Sequence, residues 1–222
     1  NSIRPVVVVR KCLAFEACRY NGQMDGCHLV DKLKDYVDFI TVCPEVQIGL
    51  DTPREAIRIV KEDELSPIKL VQHVTERELS TEMFEFGEEF LKSLPKVDGF
   101  LLKSKSPSCG IKEVKIYKST QKGSASVKGK GLFGGMVINK FPSAVIEEDG
   151  RVKNYNIRQH FLTKLYIMKN FRVIKESLLI EDLVEFHSTN KLLIMSYNQK
   201  QLKILGGIIG RHGKLNADQR SE

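Results

Sequence analysis

Four consecutive valines, Val6 to Val9, stand between Arg4-Pro5 and Arg10 near the start of the chain. β-Branched side chains favour extended backbone. An apolar run with no polar alternation implies a strand covered on both faces, the mark of a parallel sheet sandwiched between helices. This run restricts the chain to the α/β class more strongly than any other stretch. The 222 residues suit one α/β domain with a small appendage, and a 41% hydrophobic fraction is enough for a packed core. No apolar run approaches the roughly 20 residues of a membrane helix, and no signal peptide is legible, so cytoplasmic placement is expected.

The rest of the first 150 residues reads as alternating elements. Cys27, Leu29, Val30, Leu33 and Val37 are spaced for a helix over 26–37, and Asp38 to Val42 reads as a second strand. Asp51-Thr52-Pro53 marks a turn, and residues 61–76 are polar without a clear period. Ser80-Thr81 opens a helix to about Leu94, with Met83, Phe86, Phe90 and Leu94 on one side and Pro95 as the stop. Phe100 to Leu102 is a third strand. Residues 119–135 read as a loop rich in Gly, Ser and Lys, Gly131 to Asn139 as a short helix, and Ala144 to Ile146 as a fourth strand. Strands alternating with helices predict a mostly parallel, Rossmann-like sheet flanked by helices. After Gly150 the texture changes. Helical periods run over 155–172, 178–197 and 200–210, so residues 151–222 are expected to be a small all-helical domain behind a first domain of residues 1–150.

Charge is unevenly placed. Residues 1–150 hold 22 basic and 22 acidic residues, whereas 151–222 hold 13 and 6. A second basic concentration lies inside the neutral part, where eight lysines from Lys103 to Lys130 are opposed only by Glu113. Scattered lysines are usually a solvated surface. These surround a cysteine motif, which favours a phosphate backbone as partner.

Five cysteines without a secretory context point away from a disulfide scaffold. Buried thiols acting as small hydrophobes are the plain alternative. Position argues otherwise for three of them. Cys12 follows the first strand, Cys43 the second and Cys109 the third, and ligands of an open parallel sheet gather beyond the carboxyl ends of its strands. Cys18 and Cys27 read as structural. Three soft thiolates suit zinc or an iron–sulfur cluster. A four-iron cluster held by three cysteines leaves one iron open to a soft sulfur atom.

With these residues in view, the chain resembles the TudS-type thiouracil desulfidase family. The resemblance rests on Lys11-Cys12-Leu13, Arg19-Tyr20-Asn21-Gly22, Cys43-Pro44-Glu45-Val46, Gly49-Leu50, Pro53-Arg54, Val74-Thr75 and Lys103 to Gly110, and it covers about residues 5–150. Ala14 and Phe15 depart from the leucine and glycine usual in relatives. The acidic turn and arginine at Glu147 to Arg151 are kept. In the tail, Arg158, Phe161, Phe186-His187, Lys191-Leu192-Leu193 and Leu205-Gly206 resemble the helical domain, longer in relatives, of tRNA 4-thiouridine desulfidases.

The resemblance implies a [4Fe–4S] cluster on Cys12, Cys43 and Cys109, with Glu45 as the base and Ser106 orienting water or substrate. Ser108 is a weaker candidate for the work of Ser106. It also implies non-redox removal of sulfur from a thiolated uracil, with 4-thiouridine in tRNA favoured by the basic tail. Arg19, Tyr20 and Arg54 are either substrate contacts or structural hydrogen-bonders, and a lone His187 beside Lys191 is more often structural. Two other readings stay open. One is a desulfidase for free thiouracil whose tail serves assembly, for instance as a homodimer. The other is a non-enzymatic nucleic-acid-binding module stabilised by zinc.

Overall fold

The computed structural model describes residues 4–211 apart from residue 178. The chain divides into two compact units, Asn1–Tyr166 and Ile167–Glu222. The change of texture at Gly150 therefore precedes the division. Residues 155–166 stay with the first unit, where Phe161 and Leu165 are buried.

In the first unit, β1 (Val6–Arg10) pairs in parallel with β2 (Asp38–Val42) on one side and β5 (Gly99–Leu102) on the other. β8 (Val145–Glu148) extends the sheet beyond β5, also in parallel, to give the order β2-β1-β5-β8. Val7, Val8 and Val9 are buried, as are all four residues of β5, as two-sided coverage requires.

A second sheet, order β4-β3-β6-β7, is built from β3 (Ile57–Val60), β4 (Lys69–Gln72), β6 (Val114–Tyr117) and β7 (Ser126–Gly129). It is mixed: β3 and β6 are parallel, and both hairpin pairs are antiparallel. The sequence reading missed this sheet. It left 61–76 unassigned and took 119–135 for a loop, because each strand has only four residues and those of β7 are mostly exposed.

One hydrophobic core serves both sheets. It joins Val8, Val42, Phe100 and Leu102 of the first with Ile59, Leu70 and Val114 of the second. Between them enter Leu79, Met83 and Leu91 at and along α3 (Ser80–Ser93) and Leu132, Phe133 and Val137 of α4 (Leu132–Lys140). Phe86 and Phe90 stack on one another and both lie near Phe133, with ring centroids 6.1 and 6.0 Å from it. Gly87 sits where α3 meets α4: an added Cβ would lie 2.6 Å from the Met136 methyl. A short α1 (His28–Leu33) precedes β2.

The second unit takes the end of α5 (Tyr155–Ser177), then α6 (Ile180–Tyr197) and α7 (Gln199–Arg211), and is all-helical among the described residues. Phe171 and Phe186 pack with centroids 5.8 Å apart. His187 lies against Gly206 of α7, and its Nε2 is buried without a hydrogen-bond partner. No described helix is long and apolar enough to cross a membrane.

Candidate active site

The carboxyl ends of the first sheet's strands bear the site. β1 runs straight into a 3-10 turn, Lys11–Leu13, that carries Cys12. β2 runs into α2 (Pro44–Gln47), with Cys43 at its N-cap and Pro44 in its first turn, a position that suits a residue lacking an N–H. Glu45 follows at once. Beyond β5 the chain forms a tight turn over Ser106 to Gly110, where the Gly110 N–H donates to Ser106 O at 2.8 Å and the Cys109 N–H to Ser106 Oγ at 3.2 Å.

That turn is clamped from two sides. The N-terminus of α4 presents N–H groups that lack partners within the helix. Gly131 N–H donates to Gly110 O at 2.7 Å, Leu132 N–H to Pro107 O at 3.1 Å and Gly134 N–H to Ser108 O at 3.0 Å. This close approach requires glycine: a Cβ on Gly134 would lie 2.5 Å from Gly110 O and 2.6 Å from Cys109 O. From the other side, Glu148 Oε1 accepts the Ile111 N–H at 2.7 Å. Asp149 accepts the Ser104 N–H, the Ser104 hydroxyl and the Lys103 ammonium, each at 2.7 Å. These contacts give the acidic turn of the sequence a structural task that sequence reading did not assign. Gly134→Ala is expected to destabilise the fold by roughly 1–3 kcal/mol, the usual cost of overpacking, and to lower the thermal midpoint measurably. An unchanged midpoint would show that α4 does not brace the turn.

Cys12, Cys18 and Cys43 form one buried cluster, against which Val46 packs. Hydrogen bonding with Cys18 is the main cause that holds Cys12 to a pKa of about 7 and Cys43 to about 6, and it pushes Cys18 itself upward. Cys109, fully buried, lies outside this cluster and packs with the main core. Burial pushes its thiol up to about 11 against the opposing charge of Arg10. Cys27 lies at the start of α1, outside the thiol cluster. Sequence reading set Cys18 aside with Cys27, but the fold separates the two.

Arg10 links these groups, and sequence reading overlooked it. Its guanidinium is buried between Cys109 and Glu45: Nη1 lies 3.0 Å from Cys109 Sγ and 3.3 Å from Ser108 Oγ, and Nη2 2.9 Å from Glu45 Oε1. The opposing charges of Cys109, Glu45, Cys43 and Cys12 outweigh its desolvation and raise its pKa. The one available signal was its place, a charge at the end of a strand buried on both faces.

Glu45 is 6% exposed and fully engaged. Oε1 accepts from Arg10 and from Ser108 Oγ at 2.6 Å, and Oε2 accepts from Arg54 Nε at 3.1 Å and from Arg54 Nη2. Burial opposes ionisation, but Arg10 and then Arg54 overcome it and hold the carboxyl down to about 2. A near-neutral carboxyl, expected from burial alone, is thus replaced by a firmly ionised one. Arg54 also donates to Cys18 O at 3.1 Å and Asp51 O at 3.1 Å. These hydrogen bonds tie three loops together, and Arg54 also lines the pocket of the site. Ser106 Oγ lies 2.9 Å from Ser108 Oγ.

A cavity of about 370 Å³ opens over these groups, a volume suited to a small heterocycle. Arg10, Cys12, Glu45, Arg54 and Ser106 line its floor and walls, with Arg19, Tyr20 and Lys103 to Lys105 also around it. Arg19 stacks over the half-exposed Tyr20 ring, 5.9 Å from its centroid.

The sequence model of the 2-thiouracil desulfurase family matches residues 7–149. The chain belongs to that family. The match spans the first unit from β1 to the acidic turn and includes every thiol of the site. Among curated proteins, the uncharacterized protein YbbK of Bacillus subtilis (strain 168) is 29% identical over 132 residues, 57% of this chain and 85% of that protein. Among solved structures, the [4Fe-4S]-dependent thiouracil desulfidase TudS superposes with a TM-score of 0.52 at 22% identity, covering 71% of this chain and 99% of its own. That likeness establishes a shared fold.

The donors of the site suit a sulfur-rich cluster. Four buried thiols and a buried guanidinium, whose Nε lacks a hydrogen-bond partner, meet the needs of an anionic cluster with N–H···S acceptors. Among the described residues, no three His, Cys, Asp or Glu side chains converge as ligands of a single ion would. A multi-iron cluster instead takes its thiolates at separate corners. The residues fit the cluster.

Proposed function

We propose that this chain desulfurates a thiolated uracil, with 4-thiouridine in tRNA as its substrate. The observation that carries the reading is a hydrogen-bonded line, Glu45–Ser108–Ser106, that ends in a pocket beside buried thiols. Family membership supports the base, and the basic residues of the first domain and of the tail support RNA.

Exchange of a thiocarbonyl sulfur for oxygen consumes one water and releases one hydrogen sulfide, without net electron transfer. Cys12, Cys43 and Cys109 would hold a [4Fe–4S] cluster. Its iron without a protein thiolate supplies a soft Lewis acid for the thiocarbonyl sulfur when bound.

The protein's own part is proton handling. Glu45 is ionised and can only accept, so Ser108 gives it the one hydroxyl proton it has. The 2.6 Å contact is a charge-assisted bond. Ser108 must then accept from Ser106. One lone pair of Ser106 takes the Cys109 N–H, which leaves the other for a group bound in the pocket that Ser106 lines. A water bound there would donate to Ser106. Its proton would pass inward as its oxygen attacks the ring carbon, and the line would return a proton to the departing sulfide. Two arginines keep Glu45 a weak base, so it directs the relay and need not hold the proton for long. Lys103, fixed by Asp149 and Asp25, adds a positive charge at the pocket rim.

The test is sulfide release from 4-thiouridine-containing tRNA and from free 4-thiouracil by anaerobically reconstituted protein. Release from both supports the full reading. Release from the free base alone keeps the chemistry and removes the RNA. Silence on both, from a protein shown to carry four irons, rejects the desulfidase reading. Ser108→Ala breaks the line at its centre. It is expected to cut kcat by about 10²-fold or more, the range for a positioned proton-transfer group, with iron content unchanged. A kcat within twofold of the parent would remove the relay from the mechanism.

A further inference from the structure

A second cavity, of about 520 Å³, adjoins the active-site pocket and shares Ala56, Ile57, Lys105 and Pro107 with it. It lies on the mixed sheet that the sequence reading missed. Val114 and Ile116 of β6 face the core, so strand alternation turns Lys115 and Tyr117 to the opposite face, into the second cavity. Arg58 of β3 reaches the same face. Its guanidinium lies 4.7 Å over the Tyr117 ring, and Nη1 is anchored by Thr120 O at 3.1 Å.

This face carries a concentration of positive charge. Lys115 and Lys128 are directly opposite partners across β6 and β7, and like charges at such positions repel. Glu113 pairs with Lys128 at 2.6 Å. Among the described residues, Lys115 has no ion-pair partner, and Lys105 stands exposed at the junction of the two cavities. A polyanion laid along the face would relieve the repulsion.

We propose that this trough binds the sugar–phosphate backbone of single-stranded RNA next to the thiolated base. The proposal rests on the desulfidase reading for what enters the first pocket. A thiouridine seated there must lead its ribose and phosphates out, and the trough is the pocket's continuation. Arg58, Lys105, Lys115 and Lys128, all lining the trough, meet the phosphates. The Arg58–Tyr117 stack offers a flat platform for a neighbouring base, a mode indifferent to base identity. The first unit, and not only the basic tail, then grips the RNA.

The experiment is fluorescence-anisotropy binding of 4-thiouridine-containing tRNA to the reconstituted full chain at several salt concentrations. Lys115→Glu/Lys128→Glu is compared with Lys32→Glu/Lys34→Glu, an equal charge change at the C-terminal end of α1. The trough variant is expected to bind about tenfold or more weaker, with a salt slope shallower by about 1–2, as for two lost phosphate contacts. The α1 variant is expected to stay within about twofold of the parent. Full affinity in the trough variant overturns the proposal, and so does an equal loss in the α1 variant. Because binding is read without turnover, these outcomes are independent of the desulfidase reading. Sulfide release from free 4-thiouracil by the same trough variant shows separately that the first pocket is intact.

Discussion

Cys109→Ala is expected to abolish iron binding and sulfide release together. Cys12 and Cys43 each have a third thiol, Cys18, packed beside them. Cys18 can therefore stand in for either when one is removed. Cys109 has no such neighbour. It lies across Arg10, fully buried, in a turn clamped by the start of α4 and by the acidic turn. Loss of its sulfur removes the one thiolate on that side. Iron and acid-labile sulfide per chain after anaerobic reconstitution, with visible absorbance, measure the effect. The parent should approach about four irons per chain, as a [4Fe–4S] cluster requires, and the variant should fall far below. Cys18→Ser is expected to retain the cluster, because in the proposed ligand set Cys18 hydrogen-bonds with Cys12 and Cys43 and does not itself hold iron. Full iron in the Cys109 variant, or its loss in the Cys18 variant, would redraw the ligand set.

Glu45→Gln is expected to affect stability and catalysis at once. Its carboxylate compensates two guanidinium groups, and its side chain and that of Arg54 are nearly as buried as that of Arg10. Removing one member of a buried ion pair costs about 3–5 kcal/mol, because the remaining charge is stranded. The same change removes the negative charge and the basicity at the accepting end of the Glu45–Ser108–Ser106 line and should lower kcat by about 10²–10⁴-fold. Glu45→Asp separates the two effects. It keeps the charge beside the arginines, so the melting temperature should fall less, while the shorter side chain draws away from Ser108 and kcat should still drop. The relay predicts a loss in kcat with little change in KM. A Glu45→Asp enzyme with parental kcat would leave Glu45 only the structural task of neutralising Arg10 and Arg54.

Much of the first sheet was legible in the residues. The valine run, Asp38 to Val42 and Phe100 to Leu102 are apolar enough to announce buried strands, and three cysteines fall just beyond their ends. The spacing of Met83, Phe86 and Phe90 announced α3. These are local signals: side-chain shape sets backbone preference, and period sets the buried face. The second sheet was not legible. β3, β4, β6 and β7 are four residues each, and their polar alternation gains meaning only once the partner strands cover one face.

The sequence by itself determined the α/β class and the helical tail, and it placed Cys12, Cys43 and Cys109 after three strands. Only the tertiary structure decided how these groups act on one another. Residues 10, 45 and 108 meet through contacts 35 and 98 positions apart in the chain, so no local pattern records that Arg10 bridges Cys109 to Glu45. The ionised state of Glu45 follows from the same meeting. Burial alone would have neutralised it, and the arginines that reverse the sign reach it through the fold. Cys18 joined the thiol cluster for the same reason. A residue type and a spacing can mark a ligand, but the charge, hydrogen bonds and accessibility that set its chemistry come from neighbours distant in sequence.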